Sequence, residues 1–212
     1  MISYTRAIWP LILCASAAAI IFSAGSAHAQ ALHGKALVNA LQKGGYVILM
    51  RHASSPRELP DKKTADPDNT KPERQLDEGG RNTAVAMGNA FRELKIPVGK
   101  VLSSPTYRAL ETVRLAQFGV AQTFPELGDN GQSMQAAKAD QAAWLRKQVA
   151  QFPKGTNTII VTHLPNIEGA FPQLASGLAD GEALIFGSDG KAGAVLAGRV
   201  KIEEWPTMAS GG

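Results

Sequence analysis

Three short apolar segments of the sequence, 46–50, 100–102 and 159–161, each end in side chains that can bind an anion or attack one. The residues that follow them are, in chain order, Arg51 and His52; Ser103, Ser104 and Arg108; and Thr162 and His163. Short apolar runs of this kind are typical of buried parallel strands, whose carboxyl ends meet at one edge of a sheet. Neighbouring parallel strands would therefore bring two arginines and two histidines together.

Two guanidinium groups and two imidazoles in one pocket repel one another unless an anion lies among them. Phosphate is the natural anion, because the planar fork of arginine matches its oxygens bidentately. One imidazole can serve as a nucleophile while the other groups neutralise the transferred charge. Phosphoryl transfer mainly requires positioning and charge stabilisation, so such a pocket can catalyse it without a metal.

The order and spacing of these residues carry more weight than any one of them. An isolated Arg-His pair is common, and a lone histidine after a strand is more often a hydrogen-bonded structural residue. The full set is hard to obtain by accident: Arg51-His52-Ala53, then Ser103-Ser104-Pro105-x-x-Arg108-Ala109-x-Glu111-Thr112, then Thr162-His163.

Helical and strand signals alternate along the chain, which predicts an α/β fold: a three-layer sandwich with a mostly parallel central sheet. Apolar periodicity and proline positions predict helices over 31–43, 81–94, 105–117 and 133–152 and after Pro165. Strands are predicted at 46–50, 100–103, 157–162, 183–186 and 194–202. The stretch 56–75, with its prolines and charges, is predicted to be a long surface loop.

Residues 1–29 have the layout of a secretory signal peptide. The apolar run Ile8–Ala24 follows Arg6, and Ala27-His28-Ala29 forms a small-x-small cleavage site. The alternative is an uncleaved membrane anchor, for which a run of this length is near the lower limit. Cleavage predicts a periplasmic or secreted protein that keeps no membrane span.

After cleavage, one domain is predicted over 30–205, followed by a flexible tail, 206–212. The only cysteine, Cys14, lies in the signal peptide, so the remaining chain has no disulfide and no thiol nucleophile. Apolar residues make up 44% of the 212 residues, which suits a single globular domain with a full core.

Composition and motifs exclude several other classes of protein. The formal charge is only +4, and no basic stretch is interleaved with aromatic residues, which argues against nucleic-acid binding. The sequence lacks the Gly-x-Ser-x-Gly elbow, the Walker phosphate loop, the Gly-x-Gly-x-x-Gly fingerprint and the His-Glu-x-x-His motif. Three remaining histidines and no cysteine argue against a transition-metal site, and no cofactor is expected.

At this point the chain resembles the histidine phosphatase superfamily, which has the phosphoglycerate-mutase-like fold. The family motif Arg-His-Gly/Ala matches 51–53, and Ser-Ser-Pro-x-x-Arg-Ala-x-x-Thr matches 103–112. The second histidine of the family matches His163, and Leu76, Gly80 and Ala84 resemble the opening of a family helix. The resemblance covers about Gly45 to Phe171.

The resemblance implies a role for each of the four charged or nucleophilic residues. His52 would attack phosphorus and become phosphorylated, and Arg51, Arg108 and His163 would bind the phosphoryl oxygens. Ser55 stands where one branch of the family has a second arginine, and so that branch is not matched.

Family members usually add an acid that protonates the leaving group, in a loop after the second arginine. The matching region is 124–129, where Glu126 is predicted and Asp129 is the second choice. Ser104 and Arg57 are further candidates for substrate binding; the alternatives are strand-end packing or capping for Ser104 and a solvated loop position for Arg57.

These observations together predict an exported phosphatase that hydrolyses phosphate monoesters through a phosphohistidine on His52. Its partner would be a phosphorylated small molecule or a glycolipid. By analogy with similar exported proteins, heptose phosphate of the lipopolysaccharide core is one candidate, and small phosphate esters or a phosphohistidine protein are others. The alternative is a non-catalytic protein that binds phosphate ligands on the same fold.

Overall fold

The strands follow the apolar segments of the sequence closely. The computed structural model describes residues 31–129, 137–191 and 193–211, so the predicted signal peptide lies outside the described residues. The strands in these ranges are β1 (Val47–Arg51), β2 (Val98–Ser103), β3 (Gln122–Thr123), β4 (Asn157–Thr162), β5 (Ala183–Ser188) and β6 (Ala194–Val200). The short β3 has no counterpart in the sequence pattern, because two exposed residues carry no apolar periodicity.

Most of the helices also lie close to their predicted places: α1 (Gly34–Lys43), α2 (Glu78–Glu93), α3 (Tyr107–Ala116), α4 (Ala139–Val149) and α5 (Leu164–Ala170). The sequence pattern did not predict the short 3-10 helix at Pro125–Leu127 or α6 (Glu204–Ala209). The prediction for α4 began at residue 133, and residues 133–136 lie outside the described residues. As predicted, loop 56–75 contains neither helix nor strand.

The strand order confirms an α/β fold with a mostly parallel sheet. The six strands lie in the order β3-β2-β4-β1-β5-β6. The pairs β1–β4, β2–β4 and β2–β3 are parallel, whereas β5 is antiparallel to both β1 and β6. The carboxyl ends of β2, β4 and β1 therefore lie side by side at one edge of the sheet.

Helices cover both faces of the sheet, which completes the predicted three layers. Ile48 and Met50 of β1 pack into one core with residues of α1, α2, α3 and α6. Val47 and Leu49 point to the opposite face and pack with residues of α4 and α5. This alternation, with both faces buried, explains why the strand is continuously apolar in sequence.

The sequence predicted a flexible tail at 206–212, but residues 206–209 belong to helix α6. Trp205 is fully buried, and its ring lies 4.5 Å from that of Phe91 between centroids. Pro206 is compatible with this helix because it lies in the first turn, where backbone N–H groups have no partner within the helix. No helix in the described ranges is long and apolar enough to cross a membrane.

The start of α2 holds the chain that follows the first motif. Asp77 caps the helix by accepting from the Gly80 backbone N–H at 2.6 Å, and its other carboxylate oxygen accepts from Ser54 Oγ at 2.6 Å. A Cβ atom on Gly80 would lie 2.1 Å from the Ser54 carbonyl oxygen. Only glycine allows this close approach of helix and loop.

Replacing this glycine should destabilise the fold. We expect Gly80→Ala to lower the free energy of unfolding by about 2 kcal/mol or more, because backbone must move to relieve the overlap. The neighbouring Gly79→Ala, whose Cβ would meet only the Asp77 side chain at 3.3 Å, is the matched control and should change it by less than about 1 kcal/mol. Urea denaturation measures both, and equal effects would contradict this account of Gly80.

Candidate active site

Backbone hydrogen bonds extend the sheet by one residue beyond the strand ends and place the motif residues there. The His52 N–H donates to the Thr162 carbonyl at 3.0 Å, and the Ser104 N–H donates to the Val161 carbonyl at 2.9 Å. His52 and Ser104 therefore lie on either side of the end of β4, next to His163. The juxtaposition inferred from the three sequence segments is present in the structure.

Arg108 is the centre of this cluster and is almost fully buried, with 1% of its surface exposed. Its Nε donates to His52 Nε2 at 3.2 Å, and its Nη2 donates to His163 Nδ1 at 3.1 Å. The same Nη2 forms an ion pair with the Asp129 carboxylate. One guanidinium group thus orients both imidazoles and one carboxylate.

These contacts determine which nitrogen of each imidazole carries the proton. His52 Nδ1 lies 2.7 Å from the Ala53 carbonyl, which can only accept, so Nδ1 is protonated and Nε2 carries the lone pair. His163 Nδ1 accepts from Arg108, so its Nε2 carries the proton and donates to Ser104 Oγ at 2.8 Å. The unprotonated nitrogen of His52, Nε2, therefore faces Arg108.

Burial lowers the pKa of His52 well below its usual value of 6.5, and the nearby His163 and Arg108 lower it further. The pKa of His163 is also well below 6.5, first because of burial and then because of the charges of Arg108, Arg74 and Arg51. Both imidazoles are therefore neutral near pH 7, as a nucleophilic nitrogen requires.

Arg51 lies at the end of β1, and residues of a later loop bind its guanidinium group. Its Nη2 forms an ion pair with Asp180 at 2.6 Å, and its Nη1 donates to the Leu178 carbonyl at 3.3 Å. Its Nε is buried and has no hydrogen-bond partner in the described ranges, and the same is true of Arg108 Nη1. Two buried donors thus have no acceptor among the described residues.

Two other residues of the second motif, 103–112, hold the first motif, 51–53, and the nearby loop in place. Thr112 Oγ1 accepts from the Ala53 N–H at 3.1 Å and donates to the Arg108 carbonyl at 2.8 Å. Glu111 is buried and accepts from the Leu76 N–H at 2.9 Å. Helix α3 therefore fixes both the segment after His52 and the end of loop 56–75.

A cavity of about 220 Å³ opens above this cluster. It is lined by Arg51, His52, Ser55, Arg57, Arg74, Arg108, Asp129, His163, Leu164, Pro165 and Asp180. No group of three or more His, Cys, Asp or Glu side chains within 31–129, 137–191 and 193–211 is arranged to hold a metal ion.

The structure distributes the predicted site residues unevenly around this cavity. Arg51, His52, Arg108, His163 and Arg57 line it, whereas Ser104 supports His163 from behind.

Glu126, the predicted acid, is not among the lining residues, whereas the second choice, Asp129, is. Glu126 belongs to a short 3-10 helix, Pro125–Leu127, whose Leu127 is buried in the core, and Asp129 follows this helix.

Sequence reasoning missed three polar lining residues, Arg74, Asp180 and Ser55. All three lie in loops whose residues carry no periodicity. The one signal for Arg74 was its place two residues before Leu76, the first residue of the family-like helix opening.

The low pKa values of the two histidines predict a distinct NMR signature. At pH 6, imidazole ¹⁵N spectra should show neutral rings for His52 and His163, protonated at Nδ1 and Nε2 respectively. The same residues in denaturant should titrate near the ordinary value of about 6.5. A folded-state midpoint near 6.5 for either residue would contradict the burial argument.

In comparisons by sequence, no family model and no curated protein matches the chain. In comparisons by structure, the protein histidine phosphatase SixA complexed with tungstate has a TM-score of 0.54 at 17% identity, over 75% of this chain and 98% of SixA. The mycobacterial glucosyl-3-phosphoglycerate phosphatase with inorganic phosphate has a TM-score of 0.51 at 16% identity, over 74% of this chain and 98% of its own.

A variant of the phosphoserine phosphatase from Entamoeba histolytica in complex with phosphoserine has a TM-score of 0.50 at 12% identity, with the same coverage of 74% and 98%. At such identities the likeness concerns the fold. With the sheet order, it shows that the chain has a phosphoglycerate-mutase-like fold, the fold of these phosphatases.

Proposed function

We propose that the protein is a phosphatase that hydrolyses phosphate monoesters through a phosphohistidine on His52. The observation that carries the proposal is the pair of buried donors, Arg51 Nε and Arg108 Nη1, which have no acceptor in the described part of the chain. Both belong to residues that line the same cavity as His52. A buried donor left unpaired costs about 1–3 kcal/mol. An oxyanion that accepts from both would remove that cost.

In the first step, the lone pair of His52 Nε2 attacks phosphorus, and the bond between phosphorus and the ester oxygen breaks. Arg51 and Arg108 stabilise the negative charge on the phosphoryl oxygens. The phosphorylated ring becomes positively charged, and the Ala53 carbonyl, which accepts from Nδ1 at 2.7 Å, stabilises that charge. The leaving oxygen takes a proton from an acid of the site.

In the second step, water attacks the phosphohistidine. The carboxylate that gave its proton in the first step removes a proton from this water. The bond between phosphorus and Nε2 breaks, inorganic phosphate is released, and His52 recovers its lone pair. The neutral state of the ring, which burial favours, makes it ready for the next substrate.

We assign the acid to Asp129. Its side chain lines the cavity beside Arg108 and is 9% exposed. In the free site Asp129 is a carboxylate paired with Arg108, so a substrate that enters as its monoanion brings the proton, which Asp129 passes to the leaving oxygen. Glu126 is not among the residues that line the cavity, and its backbone carbonyl accepts from Asn166 Nδ2 at 3.1 Å.

The cavity size supports a substrate of which only one end enters. About 220 Å³ is below the ~300–1,000 Å³ typical of sites that enclose drug-sized ligands. The phosphoryl group and the adjoining part of the leaving group would enter, and the rest would remain outside. Small phosphate esters meet this condition, and so does heptose phosphate of the lipopolysaccharide core.

The proposal includes export to the periplasm or out of the cell. It rests on the sequence of residues 1–29, in which an apolar run precedes a small-x-small cleavage site.

The nucleophile is tested by His52→Ala. We expect this variant to lose at least about 10³-fold in kcat toward p-nitrophenyl phosphate, because it lacks the imidazole that is proposed to form the covalent intermediate. His33→Ala is the matched control; this histidine precedes α1, outside the cavity, and its replacement should leave kcat unchanged. A phosphoenzyme stable in alkali and labile in acid should be trapped in the wild type only. Full activity of His52→Ala would refute the mechanism.

The acid is tested by comparing Asp129→Asn with Glu126→Gln on two substrates. For an alkyl phosphate, whose leaving group needs a proton, Asp129→Asn should lower kcat by about 10²–10⁴-fold. For p-nitrophenyl phosphate, whose leaving group departs as an anion, the formation of the phosphoenzyme should slow much less. Glu126→Gln should behave as wild type with both. The reverse pattern would return the role to Glu126.

A further inference from the structure

Arg74 lies in the cavity of His52, although it belongs to none of the catalytic motifs. Its Nε donates to the Pro56 carbonyl at 2.6 Å, and its Nη2 donates to the Ser55 carbonyl at 3.0 Å. Its Nη1 has no hydrogen-bond partner among the residues that the structure describes. The guanidinium group is therefore fixed by two backbone carbonyls and retains donors for a ligand.

The backbone on both sides of Arg74 is anchored to helix α3. Glu73 Oε2 accepts from the Tyr107 N–H at 3.0 Å, at the first turn of the helix. The Leu76 N–H donates to Glu111 Oε2 at 2.9 Å, one turn further along. Arg74 thus lies between two residues that are hydrogen-bonded to α3. The same helix carries Arg108, so the positions of the two arginines are coupled.

The rest of loop 56–75 is held by its own side chains. Asn69 is buried, and it donates from Nδ2 to the Glu73 carbonyl at 2.8 Å and accepts at Oδ1 from the Glu73 N–H at 3.0 Å. The Tyr107 hydroxyl donates to Asp68 Oδ1 at 2.5 Å. Gln75 Nε2 donates to the Thr64 carbonyl at 2.9 Å. Loop 56–75 is thus ordered by its own hydrogen bonds, and it places the Arg74 side chain at the cavity.

The charges of the cavity single out the same residue. Arg108 is paired with Asp129, and Arg51 is paired with Asp180. The other two arginines of the cavity, Arg74 and Arg57, have no ion pair within the described ranges. With both imidazoles neutral, the site carries two uncompensated positive charges, which matches the two negative charges of a phosphate monoester.

Of these two residues, Arg74 is the one near the reacting groups. Arg57 is exposed and has no hydrogen bond in the described part of the chain, whereas Arg74 is partly buried. Burial lowers the pKa of Arg74, and the charge of Arg108 lowers it further. The charge of Arg74 in turn contributes to the low pKa of His163.

We propose that Arg74 binds the phosphoryl group of the substrate directly, and that loop 56–75 is the element that holds it in place. The assignment rests on the proposed phosphatase function and extends it by one binding residue outside the motifs. Arg74 supplies the positive charge that Arg51 and Arg108 cannot supply in full, since each is already paired with a carboxylate.

The test is the affinity of the purified protein for inorganic phosphate, measured by isothermal titration calorimetry. Arg74→Gln, which removes the charge, should weaken binding by about tenfold or more, as expected for a charge-assisted hydrogen bond. Arg74→Lys, which keeps the charge, should bind at least about threefold more tightly than Arg74→Gln. Arg92→Gln removes one arginine charge from α2, away from the cavity, and should bind as wild type. Arg57→Gln should lose less affinity than Arg74→Gln.

Thermal unfolding of each variant separates loss of the site from loss of the fold. The proposal is overturned if folded Arg74→Gln binds phosphate within about twofold of wild type, or if the glutamine and lysine variants are equally weak. Because the readout is binding, it is independent of turnover. Phosphate binding that depends on Arg74 in a protein without hydrolysis would refute the proposed catalysis and leave this assignment intact. Hydrolysis that depends on His52 but is unaffected in Arg74→Gln would refute the assignment of Arg74 and leave the proposed catalysis intact.

Discussion

Arg108 is a buried cation that touches both histidines, and the arrangement of the site follows from what its burial requires. Removing an unpaired guanidinium from water costs several kcal/mol, so each of its donors needs an acceptor. Asp129 supplies a charge, and the unprotonated nitrogens of His52 and His163 supply lone pairs. Since an imidazolium could not accept these bonds, the position of Arg108 also keeps both rings neutral. The contacts of Arg108 thus arrange both the proposed anion site and the proposed nucleophile.

The fold provides this contact set by bringing three parallel strand ends to one edge. Backbone bonds from His52 and Ser104 to the end of β4 fix the spacing across the edge, and Thr112 ties helix α3 to the segment after His52. Arg108 leaves the first turn of that helix and points back over the strand ends. Small displacements of α3 would therefore move Arg108 relative to both rings, and the tight contact of Gly80 with Ser54 restrains the neighbouring loop from moving.

Charge compensation divides the arginines of the cavity into two kinds. Arg108 and Arg51 are each paired with a carboxylate, and each has one buried donor without a partner among the described residues. They can therefore orient a ligand by a hydrogen bond while adding little net charge to the cavity. Arg74 and Arg57 carry their charge unpaired among the described residues and sit on a loop. Arg51 and Arg108, at the strand and helix ends, orient a ligand, and the loop arginines add unpaired positive charge. This combination suits a dianionic ligand that must enter and leave. A site with four paired arginines would bind it weakly, and one with four unpaired arginines would be costly to fold.

The sequence alone determined the strands of the sheet except β3, the helices α1 to α5, and the four residues Arg51, His52, Arg108 and His163 that meet at its edge. It could do so because apolar periodicity marks a buried strand or helix, and strand ends in a parallel sheet converge whatever the details of packing.

Only the tertiary structure decided which loop residues reach the cavity. Asp129 lines it and Glu126 does not, although both lie close in sequence to the buried Leu127 of the 3-10 helix. Arg74 and Asp180 come from segments without periodicity, and their places depend on anchors far away in sequence, such as Tyr107 and Arg51. The terminal helix α6 likewise depends on the pocket beside Phe91 that receives Trp205. Such contacts form between distant parts of the chain, so no local pattern encodes them.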